Sequence, residues 1–154
     1  MKKIGMYTAR GVVSQDETGA GEPQMISLFD GRFDTAMRVI EFHIWSTNYA
    51  SGANADVVGK LSKNGIGTTG SVDFMRADDD NQIAWAGGNG ATNMLSNVPS
   101  IIDPDNLIVE DLYVYARTSG TTSNPINYFV VMEKYQISES EGALLMARDR
   151  ADGE

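Results

Sequence analysis

Clusters of turn-forming residues divide this chain into short pieces, and their spacing limits the fold more than any other feature of the sequence. Gly, Asn, Asp, Ser, Thr and Pro are concentrated in them because these residues adopt or stabilise the backbone conformations of turns. The clusters occupy residues 16–23, 30–31, 48–54, 63–70, 78–81, 87–93, 103–106 and 118–125. The pieces between them have the length of β-strands.

Eight of these pieces are predicted strands, at 6–14, 25–29, 35–46, 55–61, 72–76, 82–86, 107–117 and 126–137. In the third, Ile40, Phe42 and Ile44 alternate with Glu41 and His43, so the three apolar side chains are predicted to face the core. The predicted fold is all-β: an antiparallel two-sheet β-sandwich of about eight strands, jelly-roll-like. Residues 72–87 are also predicted to form a hairpin around the turn at 78–81.

The last two predicted strands are apolar on both faces over part of their length. Leu112 and Val114 alternate with Tyr113 and Tyr115 in the first of them, and the strand at 126–137 has the same character. A strand covered on both faces is central in its sheet or meets a second surface, such as a helix or another subunit. This is the first indication of an assembly.

A short helix is predicted to follow the last strand, over residues 138–150. Ser138 precedes Glu141 by three positions, the capping-box spacing that satisfies the N–H groups at a helix start. The helix should begin near Glu139 and fray around Asp149. A helix this short is marginal alone in water, so it must pack on its own sandwich or on a neighbour. We expect a single domain over 1–154.

Composition excludes several classes of function. The chain of 154 residues has no cysteine, which excludes disulfides, thiolate nucleophiles and cysteine-based zinc sites. Its net charge of −9 disfavours direct contact with nucleic acid. No segment has the apolar length of a membrane span or of a cleaved signal peptide, so we expect a soluble chain without a leader.

The closing segment, NLIVEDLYVYARTSG followed by NPINYFVVMEKYQISESEGALLMARDRA, resembles the C-terminal end of small jelly-roll virion structural proteins of tailless icosahedral bacterial viruses. The resemblance lies mainly in residues 106–151, in a Tyr-rich strand, a Glu-Lys-Tyr strand end and an acidic-capped helix. It implies a capsid or capsid-associated role and a place in the virion, and it brings no catalytic residues. The cupin branch of this fold is disfavoured because cupins use several His ligands and His43 is the only histidine.

Few residues suggest a chemistry. His43 is expected to be a surface or interface histidine, since no second His or Cys completes a site. There is no G-x-S-x-G motif for a serine hydrolase. Asp73, Glu110, Asp111 and Glu133 lie on predicted strands and would serve a glycosidase only if two of them were paired, which the sequence does not indicate.

Two turns concentrate oxygen ligands, at 78–81 and at 103–106, and each would supply half of a calcium site, although both sequences are also ordinary turn formers. The glycines of 87–93 lack the Lys-Ser/Thr of a phosphate-binding loop, so a plain loop is expected there. Most aromatic residues should be core, with Trp45 and Tyr49 as the exceptions. The aromatic residues considered are Trp45, Trp85, Tyr7, Tyr49, Tyr113, Tyr115, Tyr128 and Tyr135.

These observations favour a non-enzymatic structural subunit of a viral capsid or similar closed assembly, with copies of itself and other virion proteins as partners. No catalytic, cofactor-binding or metal-binding residue is assigned. The alternative is a carbohydrate-binding β-sandwich that uses loop aromatics and calcium held by the Asp-rich turns. An enzyme ranks third, because the usual nucleophile and metal constellations are missing from the sequence.

Overall fold

We describe the fold from a computed structural model, which describes residues 1–13, 23–47, 57–65, 75–89, 94–118 and 125–152. This part of the chain contains eight strands and one helix. The strands are β1 (Lys2–Val13), β2 (Gln24–Ile26), β3 (Thr35–Ser46), β4 (Val57–Ser62), β5 (Gln82–Asn89), β6 (Met94–Ile102), β7 (Leu112–Thr118) and β8 (Ile126–Gln136). The helix is α1 (Glu139–Asp152).

The strands form two antiparallel sheets with a jelly-roll-like order. The three-stranded sheet runs β1-β8-β3 and the five-stranded sheet runs β2-β7-β4-β5-β6. In a jelly roll a long hairpin folds over, so that the first strand pairs with the last, the second with the seventh, the third with the sixth and the fourth with the fifth. Three of these four pairs are present here, whereas β3 and β6 lie near each other in different sheets, with β6 paired to β5. The predicted antiparallel sandwich is therefore confirmed.

The main core lies between the two sheets. Phe42, Val130 and Met132 of the three-stranded sheet pack there with Leu61 and Leu112 of the five-stranded sheet, all of them fully buried. Burying side chains of this size stabilises the fold by about 1.5–3 kcal/mol each. Along β8 the even-numbered residues from Ile126 to Met132 are buried and the odd-numbered ones are half-buried, as expected for a strand with one face toward the core.

The predicted core position of Ile40 is wrong. A register shift between Val39 and Glu41 in the pairing of β3 with β8 places a β-bulge at this residue. Val39, Phe42 and Ile44 are buried, whereas Ile40 is 36% exposed. The extra residue of the bulge turns Ile40 out of the core, and no feature of the local sequence announces it.

Other strand boundaries also differ from the prediction. The predicted strand at 72–76 is not formed at Met75 and Arg76, and residues 72–74 lie outside the described residues, as does most of the first arm of the predicted hairpin. β7 begins at Leu112 rather than at 107, and Ile108 instead forms an isolated antiparallel bridge with Met37 of β3. β6 was not predicted. It contains Pro99, which lacks an N–H and is tolerated because β6 is an edge strand.

The predicted helix is confirmed and packs on its own sandwich, but the expected fraying around Asp149 is wrong, since Asp149 is buried and the helix continues to Asp152. The Ser138 hydroxyl accepts a hydrogen bond from the Glu141 backbone N–H at 3.2 Å, which is the cap that the sequence predicts. Met146 is buried in a second, smaller cluster with Ala36, Val109 and Ile137. Within the described ranges, no helix has the length and apolar character needed to cross a membrane.

Candidate functional site

The outward face of the three-stranded sheet carries several exposed or half-buried apolar side chains among polar ones. We call it the outer sheet face. The pairing registers place its residues in rows across the sheet. Met6 is 54% exposed and Val12 is 44% exposed, while Phe129 and Val131 in the central strand are half-buried. The face comprises Met6, Thr8, Arg10 and Val12 of β1, Asn127, Phe129, Val131 and Glu133 of β8, and Arg38, Ile40, Glu41, His43 and Trp45 of β3.

The charge of this sheet differs from that of the rest of the chain. Its three strands contain five basic and two acidic residues, a net charge of +3. Because the whole chain has a net charge of −9, the remaining residues together carry −12. The basic residues are Lys2, Lys3, Arg10, Arg38 and Lys134, and the acidic ones are Glu41 and Glu133. On the outer sheet face itself Arg10 and Arg38 balance Glu41 and Glu133, so this part of an acidic protein is apolar and nearly neutral, which suits contact with another macromolecule.

A charged cluster borders the outer sheet face at one end. Lys3 Nζ lies 2.5 Å from Glu133 Oε1, and the Tyr135 hydroxyl donates to Glu133 Oε2. The Arg38 guanidinium lies 5.1 Å from the centre of the Tyr135 ring. The Lys3 ammonium, followed by the Tyr135 hydroxyl, lowers the pKa of Glu133, and the bond to Glu133 raises the pKa of Tyr135. The cluster keeps this carboxylate ionised and fixes the start of β1 on β8.

The edge of the same sheet is the long strand β1. It pairs with β8 on one side, and no strand in the described part of the chain pairs with its other side. Tyr7 points toward the core side but is 41% exposed, because it lies at this edge. The short strand β2 contacts β1 and exposes Met25 on the same side of the sandwich. The edge therefore presents backbone hydrogen-bonding groups together with apolar side chains.

The outer face of β7, by contrast, is covered by the chain itself. The Tyr115 hydroxyl donates to the Asn64 carbonyl oxygen at 2.8 Å, and Gly65 lies so close to the Tyr113 ring that a side chain at this position would overlap it. Burial, and to a lesser extent the neighbouring Tyr113, raises the pKa of Tyr115 to about 12. The second surface that the sequence predicts for β7 is thus the segment after β4, with no second subunit required.

A polar cavity of about 300 Å³ lies where the end of β4, the start of β5 and the end of β6 meet the helix α1. Helix α1 contributes Arg148 to its wall, and the strand β5 contributes Trp85. Just beneath, Lys63 Nζ lies 2.9 Å from Asp149 Oδ1, and both side chains are almost completely buried. The rest of the lining includes Asp79, Asp80, Asp103 and Asn106. The structure thus brings together the two Asp-rich turns that are far apart in sequence.

Several carboxylate oxygens of these turns accept hydrogen bonds from N–H groups of the same turn. Asp79 Oδ1 accepts from the Asn81 N–H at 3.0 Å, and Asp103 Oδ1 accepts from the Asp105 N–H at 3.1 Å. These are the hydrogen bonds that make Asp a turn former. Among the described residues, no group of three or more His, Cys, Asp or Glu side chains is arranged to hold a metal ion.

Three of the four candidate acid–base residues, Glu110, Asp111 and Glu133, each have a separate structural partner. Glu110 pairs with Arg150 of the helix at 2.7 Å, and Asp111 accepts from the N–H groups of Leu28 and Phe29 at 2.8 and 3.1 Å. Glu110 and Asp111 precede β7 instead of lying on a strand. Asp73 lies outside the described residues.

His43 and the aromatic residues are placed as follows. His43 is on the outer sheet face with Nε2 3.4 Å from Glu41 Oε2, which confirms its outward position. Trp45 is half-buried on the same face, and Tyr49 lies outside the described residues. Tyr115 and Tyr128 are buried and Tyr7 is 41% exposed. Trp85, Tyr113 and Tyr135 are half-buried, so the expectation that most aromatic residues lie in the core holds only in part. Gly87 to Asn89 belong to β5, although a loop is predicted there, and residues 90–93 lie outside the described residues.

Comparison with known proteins gives no match to a protein-family model, to a curated protein or to a solved structure.

Proposed function

We propose that this protein is a non-enzymatic structural subunit of a virus capsid or a similar closed assembly. The observation that supports the proposal best is the exposed apolar surface of the outer sheet face and of the β1 edge. Large apolar patches on a soluble protein mark contact sites, and a long exposed edge strand aggregates unless a partner or a protective feature blocks it.

The rest of the proposal is supported by fold and by resemblance. Many viral coat proteins share the jelly-roll arrangement, as do lectins and cupins, so the fold alone does not decide between them. The resemblance of residues 106–151 to small virion proteins favours the coat branch, and with it location in the virion. Copies of the chain and companion coat proteins would be its partners.

Substitutions on the outer sheet face test this function. We expect concentrated protein to form discrete closed particles in negative-stain electron microscopy, because closed symmetric assemblies arise from repeated specific contacts. Replacing Ile40 and Val131 with Ser should reduce particle formation while the melting temperature stays nearly unchanged. Leu144→Ser is the matched control, since Leu144 is 72% exposed on the outer side of the helix. If Leu144→Ser prevents particle formation while the substitutions of Ile40 and Val131 do not, the proposal is contradicted.

A carbohydrate-binding function is the second candidate, because the polar cavity combines an indole with carboxylate and guanidinium groups. Trp85 would lie against a sugar ring, while Asp80 and Arg148 would bind its hydroxyls. A glycan array read with and without a chelator tests this function and its calcium dependence. Sugar-dependent binding that Trp85→Ala abolishes would favour this candidate, whereas an array without signal would reject it.

A further inference from the structure

The two halves of β1 differ in how well they are protected from pairing. The first half carries Lys2 and Lys3 and a β-bulge, where the register on β8 shifts between Lys3 and Gly5. Lysines and bulges are the features by which edge strands avoid pairing with other chains. The second half, from Gly5 to Val13, has an uninterrupted register of nine residues on β8. Only this second half is suited to accept another strand.

The second half of β1 is also where two acidic molecules repel each other least. Each copy carries a net charge of −9, so association of two copies is opposed over most of the surface. From Gly5 to Val13 there is no acidic residue and a single basic one, Arg10. The same segment exposes Met6, Tyr7 and Val12. A second copy of the chain can approach here without bringing carboxylates together.

We propose that the second half of β1 pairs antiparallel with the same segment of a second copy, about a two-fold axis at Ala9. The pairing would join the two three-stranded sheets into one continuous sheet of six strands, with the same patch used by both subunits. The inference rests on the proposed assembly function and names the contact from which the assembly begins.

The register follows from the side chains that would face each other. With the axis at Ala9, Met6 lies opposite Val12 of the second copy and Thr8 lies opposite Arg10, so apolar meets apolar and no like charges are directly opposed. Moving the axis to Arg10 would place the two Arg10 side chains directly opposite each other, a repulsive pair. The axis at Ala9 also uses all nine residues of the regular segment.

The side chains on the core-facing side of the two paired β1 strands also fit together. Tyr7 would lie opposite Gly11 of the second copy, where no side chain occupies the strand. The hydroxyl end of the Tyr128 ring already lies over Gly11, where an added Cβ would be 2.7 Å from the Tyr128 hydroxyl. Tyr7 of the second copy would therefore pack beside the Tyr128 ring and lose much of its exposure.

The absence of cysteine from the sequence makes a direct test available. Single variants Met6→Cys and Val12→Cys are oxidised separately and as a mixture. Directly opposed residues of antiparallel strands have Cα atoms about 4.5–5.5 Å apart, which suits a disulfide. Identical residues of the two copies would be separated by roughly 20 Å along the strand. We expect cross-linked dimers in the mixture and none in either variant alone.

A second pair of variants serves as the control. Ile4→Cys mixed with Val12→Cys places one thiol at the bulge, out of register, and should not cross-link.

If Met6→Cys or Val12→Cys cross-links with itself, or if the mixture gives no dimer while the unmodified chain still associates, the pairing of β1 is wrong and the assembly function stands. If the unmodified chain does not associate at any concentration, both proposals fail. Circular dichroism of each variant confirms that the exposed substitutions leave the fold intact.

Discussion

The ammonium nitrogen of Lys63 lies 2.9 Å from Oδ1 of Asp149, and both side chains are about 95% buried. Lys63 follows β4 and Asp149 is in the helix α1, so this ion pair joins the helix to its own sandwich. Lys63 Nζ also donates to Asn106 Oδ1 at 3.5 Å, and Arg148 bonds to the same carboxylate oxygen of Asp149. The C-terminal helix is therefore part of the subunit that carries it.

Removing one member of this ion pair should destabilise the protein strongly. Asp149→Ala leaves the Lys63 ammonium buried without its counter-charge, which typically costs about 3–5 kcal/mol. Urea unfolding followed by circular dichroism measures the change. The matched control is Arg150→Ala, which breaks the exposed pair with Glu110 on the same helix and should cost less than about 1 kcal/mol. Equal losses for the two variants would contradict a structural role for the buried pair.

Gly142 should not tolerate a side chain, although it lies inside a helix. Gly→Ala in a helix interior usually stabilises a protein by about 0.5–1 kcal/mol. A Cβ at Gly142, however, would overlap the carbonyl oxygen of Phe33, so the helix would have to move away from the sandwich. We expect Gly142→Ala to lower the melting temperature in a thermal scan. An increase would mean that the helix is not held against Phe33.

The charged cluster at Glu133 should make stability depend on acid pH. The pKa of Glu133 is lowered in the folded protein, chiefly by Lys3, so its contribution is full above the ordinary value of 4.5 and is lost as the pH falls through the lower folded value. Glu133→Gln and Lys3→Met should each make the stability curve flatter in this acid range. Urea midpoints measured across the range test this, and an unchanged slope in both variants would contradict it.

Tyr115 should produce the opposite dependence at alkaline pH. Its pKa is raised from 10.0 to about 12, so the unfolded chain loses the phenol proton first and stability falls as the pH rises between these values. Tyr115→Phe should remove that part of the decline. It should also cost about 1 kcal/mol at neutral pH, because the hydrogen bond to Asn64 is lost. Unfolding midpoints at neutral and alkaline pH separate the two effects, and parallel curves for both proteins would argue against the assignment.

The sequence predicts local features of this fold better than contacts between distant residues. The alternation of Phe42 and Ile44 with Glu41 and His43 in β3 and the capping serine of the helix depend on neighbouring residues, and both are confirmed. The bulge at Ile40 could not be predicted, because an apolar residue in the bulge looks the same in sequence as one in the core. β6 was missed because Pro99 and its polar neighbours do not resemble a strand.

The candidate sites show the same limit. The two Asp-rich turns were recognised separately, yet their meeting beside Trp85 and Arg148 depends on how β5, β6 and the helix pack. The β1 edge was not recognised either, since its exposure depends on which strand lies at the end of the sheet. The surface next to β7 was predicted, but its occupant proved to be the residues around Asn64.

Sedimentation equilibrium of the unmodified chain over a wide range of concentrations shows whether copies of this protein associate. We expect the average mass to rise with concentration from that of one 16.7 kDa chain to that of a dimer or a larger closed species. A mass that stays at one chain throughout, at an ionic strength that screens the net charge, would contradict it.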